Sequence, residues 1–160
     1  IWDAAVAGLL HDCGKEIDDN RALELSAHYG IEVDEISALQ PDLLHGKIGA
    51  FIAMEQYLRE DFGINTETVL SAIRWHTTGI PGMSQIDTII FLADFIEPER
   101  NFAGLAEIQK EAFIDLYRAA LMAMDSTVLY ILRKGRPLHP DTIFARNWLI
   151  IEKINKKAAK

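Results

Sequence analysis

Cysteine is almost absent. Cys13 stands alone among 160 residues, so no disulfide framework can hold the fold, and a reducing, cytoplasmic compartment suits the chain. Positive charge is scarce as well: 16 Lys and Arg face 24 Asp and Glu, for a formal net charge of −8. The basic footprint that a nucleic-acid backbone demands is missing. No apolar run approaches the ~20 residues of a membrane span; the greasiest stretch, residues 89–96, is broken by Asp94. Strict apolar-polar alternation is lacking too, which argues against half-buried strands. Nor is there a repeat or a low-complexity linker that would divide the chain. What remains is ordinary globular composition, 49% hydrophobic and 25% charged, at about the length of one domain. A chain of this size buries ~68–70% of its unfolded surface and needs no staples.

Apolar residues recur at spacings of three and four almost throughout, so the expectation is an all-α, single-domain helical bundle over residues 1–160. Val6, Leu9, Leu10 and Cys13 would share one side of a first helix. Asn20 is placed to cap a second, from Arg21 to Tyr29, which Gly30 ends. Pro41 and Asp42 open a longer one, from about Leu43 to Asp61, closed by Gly63. Thr66 caps a helix that runs to about His76. Ser84 and Asp87 resemble a capping box for a helix ending near Glu97, before Pro98. A long amphipathic helix is expected from Glu111 to Lys134, its apolar stripe (Phe113, Leu116, Tyr117, Ala120, Met124) most simply core. Such faces also pair helical domains into homodimers. The last helix opens at Pro140-Asp141, and Lys153, Lys156, Lys157 and Lys160 read as its solvated end.

Five histidines are present, and three lie in apolar helical settings beside residues that suit a metal: His11, followed by Asp12, then His45 and His76. Asp94 adds a carboxylate inside Phe91-Leu92-Ala93-Asp94-Phe95-Ile96. Imidazole and carboxylate are the ligands of divalent Fe, Mn, Zn and Co. A carboxylate on a greasy helix face is costly unless a metal, hydrogen bonds or a cation compensates it. Neighbouring helix residues point about 100° apart, so His11 and Asp12 cannot aim at one spot but can flank a pair of ions. One Asp12 oxygen would then serve each ion, with His45 and His76 completing one and His11 and Asp94 the other. Such a pair performs metal-assisted hydrolysis of phosphate esters. Plainer readings exist for each part. A His-Asp pair arises by chance, Gly46 and Gly49 permit close helix packing, and Arg74 or Arg100 can satisfy Asp94. The ordered combination of four favours the metal.

Several segments carry a resemblance. Leu10-His11-Asp12-Cys13-Gly14-Lys15, His45-Gly46-x-x-Gly49-Ala50, Trp75-His76-Thr77-Thr78-Gly79, Leu92-Ala93-Asp94-Phe95-Ile96-Glu97-Pro98-x-Arg100 and His139-Pro140-x-Thr142-x-x-Ala145-Arg146-Asn147 resemble the HD superfamily of metal-dependent phosphohydrolases. Within it they are similar to the bacterial YqeK-type symmetrical bis(5'-nucleosyl)-tetraphosphatases. The likeness runs from the first residue to about Asn147. It implies an HD-type helical domain, metal ligation by His11, Asp12, His45, His76 and Asp94, and a di-iron centre, with Mn, Co or Zn as alternatives. It implies phosphate contacts and catalytic support from Lys15 and Arg100. Nucleotide contacts would come from Lys15, Asp94, Phe95, Arg100 and the segment Pro137, Leu138, His139, Pro140, Asp141 and Thr142. That segment starts a helix, where free backbone N–H groups favour acceptors; the plainer reading of His139 is a capping or packing residue. The family has a further metal-binding histidine on a preceding helix, whereas no histidine precedes His11 here. With its non-Met start, Ile1-Trp2-Asp3, the chain is expected to lack that natural N-terminal helix.

The implied reaction is symmetrical hydrolysis of diadenosine tetraphosphate to two ADP. A metal-bridging hydroxide would attack an inner phosphorus in line while Lys15 and Arg100 offset the phosphoryl charge. The implied partner is a dinucleoside polyphosphate substrate or nucleoside diphosphate product, with neither nucleic acid nor membrane. The alternatives are an HD hydrolase of another nucleotide and a nucleotide-binding module whose catalysis has lapsed.

Overall fold

Side-chain oxygens cap several of the helices. Asp18, Asp34, Asp115 and the amide of Asn65 each accept backbone N–H groups from the first helical turn they precede, which satisfies donors that the helix leaves unpaired. A computed structural model of the chain describes residues 1–60 and 63–158, with side chains through residue 152 apart from 61 and 62. Among the described residues there are nine α-helices, one 3-10 turn and no strand. No described helix is long and apolar enough to cross a membrane. The chain gathers into two compact units, Ile1–Thr77 and Thr78–Lys160.

The first unit contains α1 (Trp2–Leu10), α2 (Asp19–Tyr29), α3 (Glu35–Leu39), a 3-10 turn (Pro41–Leu44), α4 (His45–Gln56) and α5 (Thr66–Trp75). Helix α5 receives both α4 and α1, while α2 lies on the 3-10 turn and α4. Leu44, Ile48, Val69 and Ile73 are fully buried there, and each large aliphatic side chain so placed stabilises by about 1.5–3 kcal/mol. Asp3 ties α1 to the start of α5 by accepting the Asn65 N–H at 3.0 Å.

The second unit contains α6 (Gln85–Phe95), α7 (Leu105–Ala112), α8 (Leu116–Arg133) and α9 (Pro140–Ala158). Helix α8 touches the other three. Its Ala119, Ala120 and Ala123 are completely buried with Met124, so small side chains let its neighbours close in. Phe91, Leu92, Ile108 and Leu149 fill the same core. The capping box of Ser84 and Asp87 is present in both directions.

Several expectations need correction. Helix α1 ends at Leu10, so Cys13 lies in the turn beyond it, and Leu9 is 83% exposed while Ala7 takes the buried side. The cap of α2 is Asp18, because its oxygen reaches the Arg21 N–H at 3.1 Å, not Asn20. Likewise Asn65 rather than Thr66 caps α5. The stretch opened by Pro41 is a 3-10 turn that passes into α4, and α4 stops at Gln56; Asp61 lies outside the described residues. The helix expected over residues 111–134 is broken at Phe113. There Asp115 adopts extended backbone and caps a new helix, leaving Phe113 90% exposed. The side chains of Lys153, Lys156, Lys157 and Lys160 lie outside the description.

Candidate metal centre

Three histidines occupy comparable places in the first unit. His11 follows the last residue of α1, His76 follows the last residue of α5, and His45 continues the 3-10 turn into α4. Each ring turns back toward the carbonyl three residues earlier. Nδ1 of His11 meets Gly8 O at 2.7 Å, that of His45 meets Asp42 O at 2.5 Å, and that of His76 meets Ile73 O at 2.8 Å. A carbonyl oxygen can only accept, so Nδ1 donates its proton in all three, and the neutral form of each ring would present its lone pair at Nε2. Backbone carbonyls holding the far ring nitrogen are what orient imidazoles that bind metals.

The three Nε2 atoms face the Asp12 carboxylate. Asp12 Oδ1 lies 3.4 Å from His45 Nε2 and 3.5 Å from His76 Nε2, whereas Oδ2 lies 3.5 Å from His11 Nε2. The two oxygens thus face different histidines. His45 Nε2 and His76 Nε2 are 2.9 Å apart, a distance that calls for a proton or a cation between or beside the two nitrogens. Oδ1 is buried and accepts no hydrogen bond. The Thr77 hydroxyl stands 3.3 Å from both Nε2 atoms and has one proton to give. His11, Asp12 and His76 together offer ligand atoms within 4.8 Å of one another. An excess of acceptors around an orphaned carboxylate oxygen is the donor set of a borderline divalent cation, and the residues fit one.

Lys15 closes the carboxylate from the other side, donating to Oδ2 at 2.6 Å. Burial pushes the Asp12 carboxyl upward, but the Lys15 hydrogen bond and the positive charge of Lys15, joined by His11 and His76 whenever those rings are protonated, outweigh it. The net displacement is below the ordinary value of 3.8, so Asp12 is ionised wherever the protein works. The adjacent Cys13 thiol moves the opposite way, raised by burial and then by the Asp12 charge.

Glycines bring these elements together. A Cβ on Gly14 would come within 2.5 Å of His45 O, and one on Gly46 within 3.0 Å of both Ile73 O and Arg74 O. The close packing that explains Gly46 is therefore also what sets His45 beside His76. Trp75, the residue before His76, lies under the Lys47 ammonium at 5.6 Å. Sequence reasoning missed Thr77 and the three carbonyls. The usable signal for the carbonyls was the position of His11 and His76 at helix ends, where a ring can reach back one turn.

The remaining candidates lie in the second unit. Asp94 forms an ion pair with Arg100 at 3.0 Å, the plainer of the two readings given to it, and Glu97 stands 3.9 Å from the same guanidinium. Phe95 packs edge-on to Phe102 with ring centroids 5.2 Å apart. His139 is buried, its Nδ1 accepts the Asp141 N–H at 3.2 Å, and Thr142 is buried behind it. That hydrogen bond is a cap for α9. Pro137 is exposed, Leu138 half-buried, and Pro140 opens the helix.

The chain belongs to the HD-domain family, in the branch of the symmetrical bis(5'-nucleosyl)-tetraphosphatases. The HD-domain model matches residues 2–99. The chain is similar to the symmetrical bis(5'-nucleosyl)-tetraphosphatase of Halalkalibacterium halodurans, with 39% identity over 149 residues that cover 93% of this chain and 76% of that one. Its counterpart in Bacillus subtilis is 32% identical over 147 residues, covering 92% and 76%. A crystal structure of a predicted HD superfamily hydrolase from Clostridium acetobutylicum matches with a TM-score of 0.87 at 40% identity, over 94% of this chain and 77% of that one.

Proposed function

We propose that the chain hydrolyses diadenosine tetraphosphate symmetrically, releasing two ADP. The observation that carries this is the Asp12 carboxylate set among three imidazoles whose protons are committed to backbone carbonyls, in a chain similar over most of its length to named tetraphosphatases. His11, Asp12, His45 and His76 hold divalent metal in this reading. The different histidines facing the two Asp12 oxygens support a pair of ions, iron first, with manganese, cobalt or zinc competing by availability. Bound there, such ions supply positive charge against phosphoryl oxygens and lower the pKa of water.

The chain's own groups do the rest. The carbonyls of Gly8, Asp42 and Ile73 hold each Nδ1–H and aim each Nε2 inward. Lys15 holds Asp12 ionised and brings a cation to the phosphate chain, where charge spreads during transfer. Thr77 positions a hydroxyl proton between His45 and His76. The cytoplasm is the compartment proposed, from the single, half-buried thiol.

The test is metal analysis with product chromatography. Protein loaded with iron, manganese or cobalt is expected to carry metal and to convert diadenosine tetraphosphate to ADP alone. AMP plus ATP as products would overturn the symmetrical cut. Loaded protein that turns over a different nucleotide instead would leave an HD hydrolase of another substrate.

A further inference from the structure

The first unit contains a cleft of about 270 Å³ that none of the roles above uses. One side of it is His45, Thr77 and Lys15, all within the cluster around Asp12. Its other walls differ in chemistry. Ile17, Ala22 and Pro41 present apolar surface, and the carboxylates of Asp19 and Asp42 are exposed along it. Asp18, not Asp19, supplies the cap of α2, so the Asp19 carboxylate is not committed to that helix start.

This distribution selects for one kind of occupant. Phosphate belongs with Lys15 and is repelled by Asp19 and Asp42. Carboxylates that only accept hydrogen bonds suit hydroxyl and amino donors, as acidic residues suit ribose hydroxyls elsewhere. Half-buried Ile17 and Pro41 offer flat apolar contact. The volume is slightly under the usual range of ligand clefts, about 300–1,000 Å³, which leaves room for one sugar and base rather than a whole dinucleotide.

We propose that this cleft is a nucleoside subsite, which takes the sugar and base of one half of the dinucleoside tetraphosphate while its phosphates run toward Lys15. Ile17 and Pro41 contact the base, and Asp19 and Asp42 accept from the ribose hydroxyls. The proposal rests on the tetraphosphatase reading for the name of the ligand, and on the cleft alone for its chemistry. The resemblance assigns one nucleoside to residues 137–142 and names no place for the other.

The experiment uses Ile17→Phe, which fills the cleft, and Asp19→Asn, an exposed change that keeps the shape and removes the charge. Calorimetric titration of manganese-loaded protein with ADP is expected to give two ADP per chain for wild type and one for Ile17→Phe. Asp19→Asn is expected to weaken one of the two ADP sites. Kinetically, the preference for diadenosine tetraphosphate over adenosine 5'-tetraphosphate, which lacks the second nucleoside, should fall by about 10-fold in Ile17→Phe, the scale of a lost pocket contact. Asp19→Asn should lower the same preference several-fold through KM. Wild-type stoichiometry and wild-type preference in both variants would overturn the subsite. The two readings separate cleanly. If wild type cleaves no dinucleoside tetraphosphate yet the variants lose an ADP, the cleft binds nucleoside and the tetraphosphatase reading fails. If wild type cleaves it and the variants match wild type, the cleft fails alone.

Discussion

Asp12 and Cys13 are neighbours with opposite electrostatic fates, and the difference can be measured. Asp12 is a half-buried carboxylate whose desolvation cost is offset by Lys15. Asp12→Asn keeps the volume but removes the charge and gives the orphaned Oδ1 position an amide. Loss of an outer partner of a metal ligand already costs about 10–100-fold, so loss of this central group should reduce turnover by at least about 100-fold and bound metal to below one ion per chain. Metal content equal to wild type would remove Asp12 from the centre. Cys13 carries its thiol proton toward Gly49 O at 3.2 Å, and burial followed by the Asp12 charge raises its pKa above the ordinary 9.0. Raising the pKa of an acid means that the neutral thiol is favoured in the folded protein up to the unfolded pKa, with that preference lost as pH climbs through the folded value. Iodoacetamide should therefore alkylate metal-free folded protein slowly at pH 7–8, with a rate that levels only above pH 9. Fast modification at neutral pH would contradict it.

At the scale of elements, the histidines meet because α4 crosses α5 at glycine. An alanine normally gains roughly 1 kcal/mol over glycine inside a helix. At Gly46 the added Cβ would press to 3.0 Å on two backbone carbonyls of α5 and 3.3 Å on His76 Cε1. Backbone cannot swing aside, so overpacking of about 1–3 kcal/mol wins. Gly46→Ala should lower the melting temperature and weaken metal binding together. Gly49→Ala meets its nearest neighbour at 3.4 Å and should be tolerated in both respects; equal damage from the two would show that close approach is not the reason for Gly46.

The same contrast explains what could be read before the structure. The all-helical character followed from the spacing of apolar residues, and the ends of α2, α5 and α6 from Gly30, His76 and Ser84. The local choice between Asp18 and Asn20, or Asn65 and Thr66, depends on which oxygen reaches which N–H within about 3 Å, and composition does not contain that. Nor does periodicity reveal α3, whose five residues are held by Asp34 accepting two N–H groups, or the interruption at Asp115, which an apolar stripe runs straight through. His11, Asp12, His45 and His76 were legible because each carries unusual chemistry in a patterned segment. Thr77 was not, since a hydroxyl in a loop has no such signature.

For the molecule as a whole, metal binding and folding are one equilibrium. The proposed ligands come from the turn after α1, the start of α4 and the turn after α5, so an unfolded chain cannot assemble them. A ligand that binds only the folded state stabilises it by about 2.7 kcal/mol at 100 times its dissociation constant. For a chain of this length each kcal/mol moves the midpoint by roughly 2–4 °C, which gives an expected rise of about 5–10 °C on adding manganese to metal-free protein. The rise should be reversed by a chelator, and Asp12→Asn should show little of it, while Gly49→Ala should retain it. Amide exchange should slow most around Ile48 and Ile73, the buried residues beside the histidines in α4 and α5. An unchanged midpoint in wild type, or the same rise in Asp12→Asn, would mean that the imidazoles and carboxylate of the first unit are packed for stability alone. A rise confined to protein with Asp12 intact would show that the carboxylate and imidazoles hold the cation together, since only a site assembled by folding couples binding to stability.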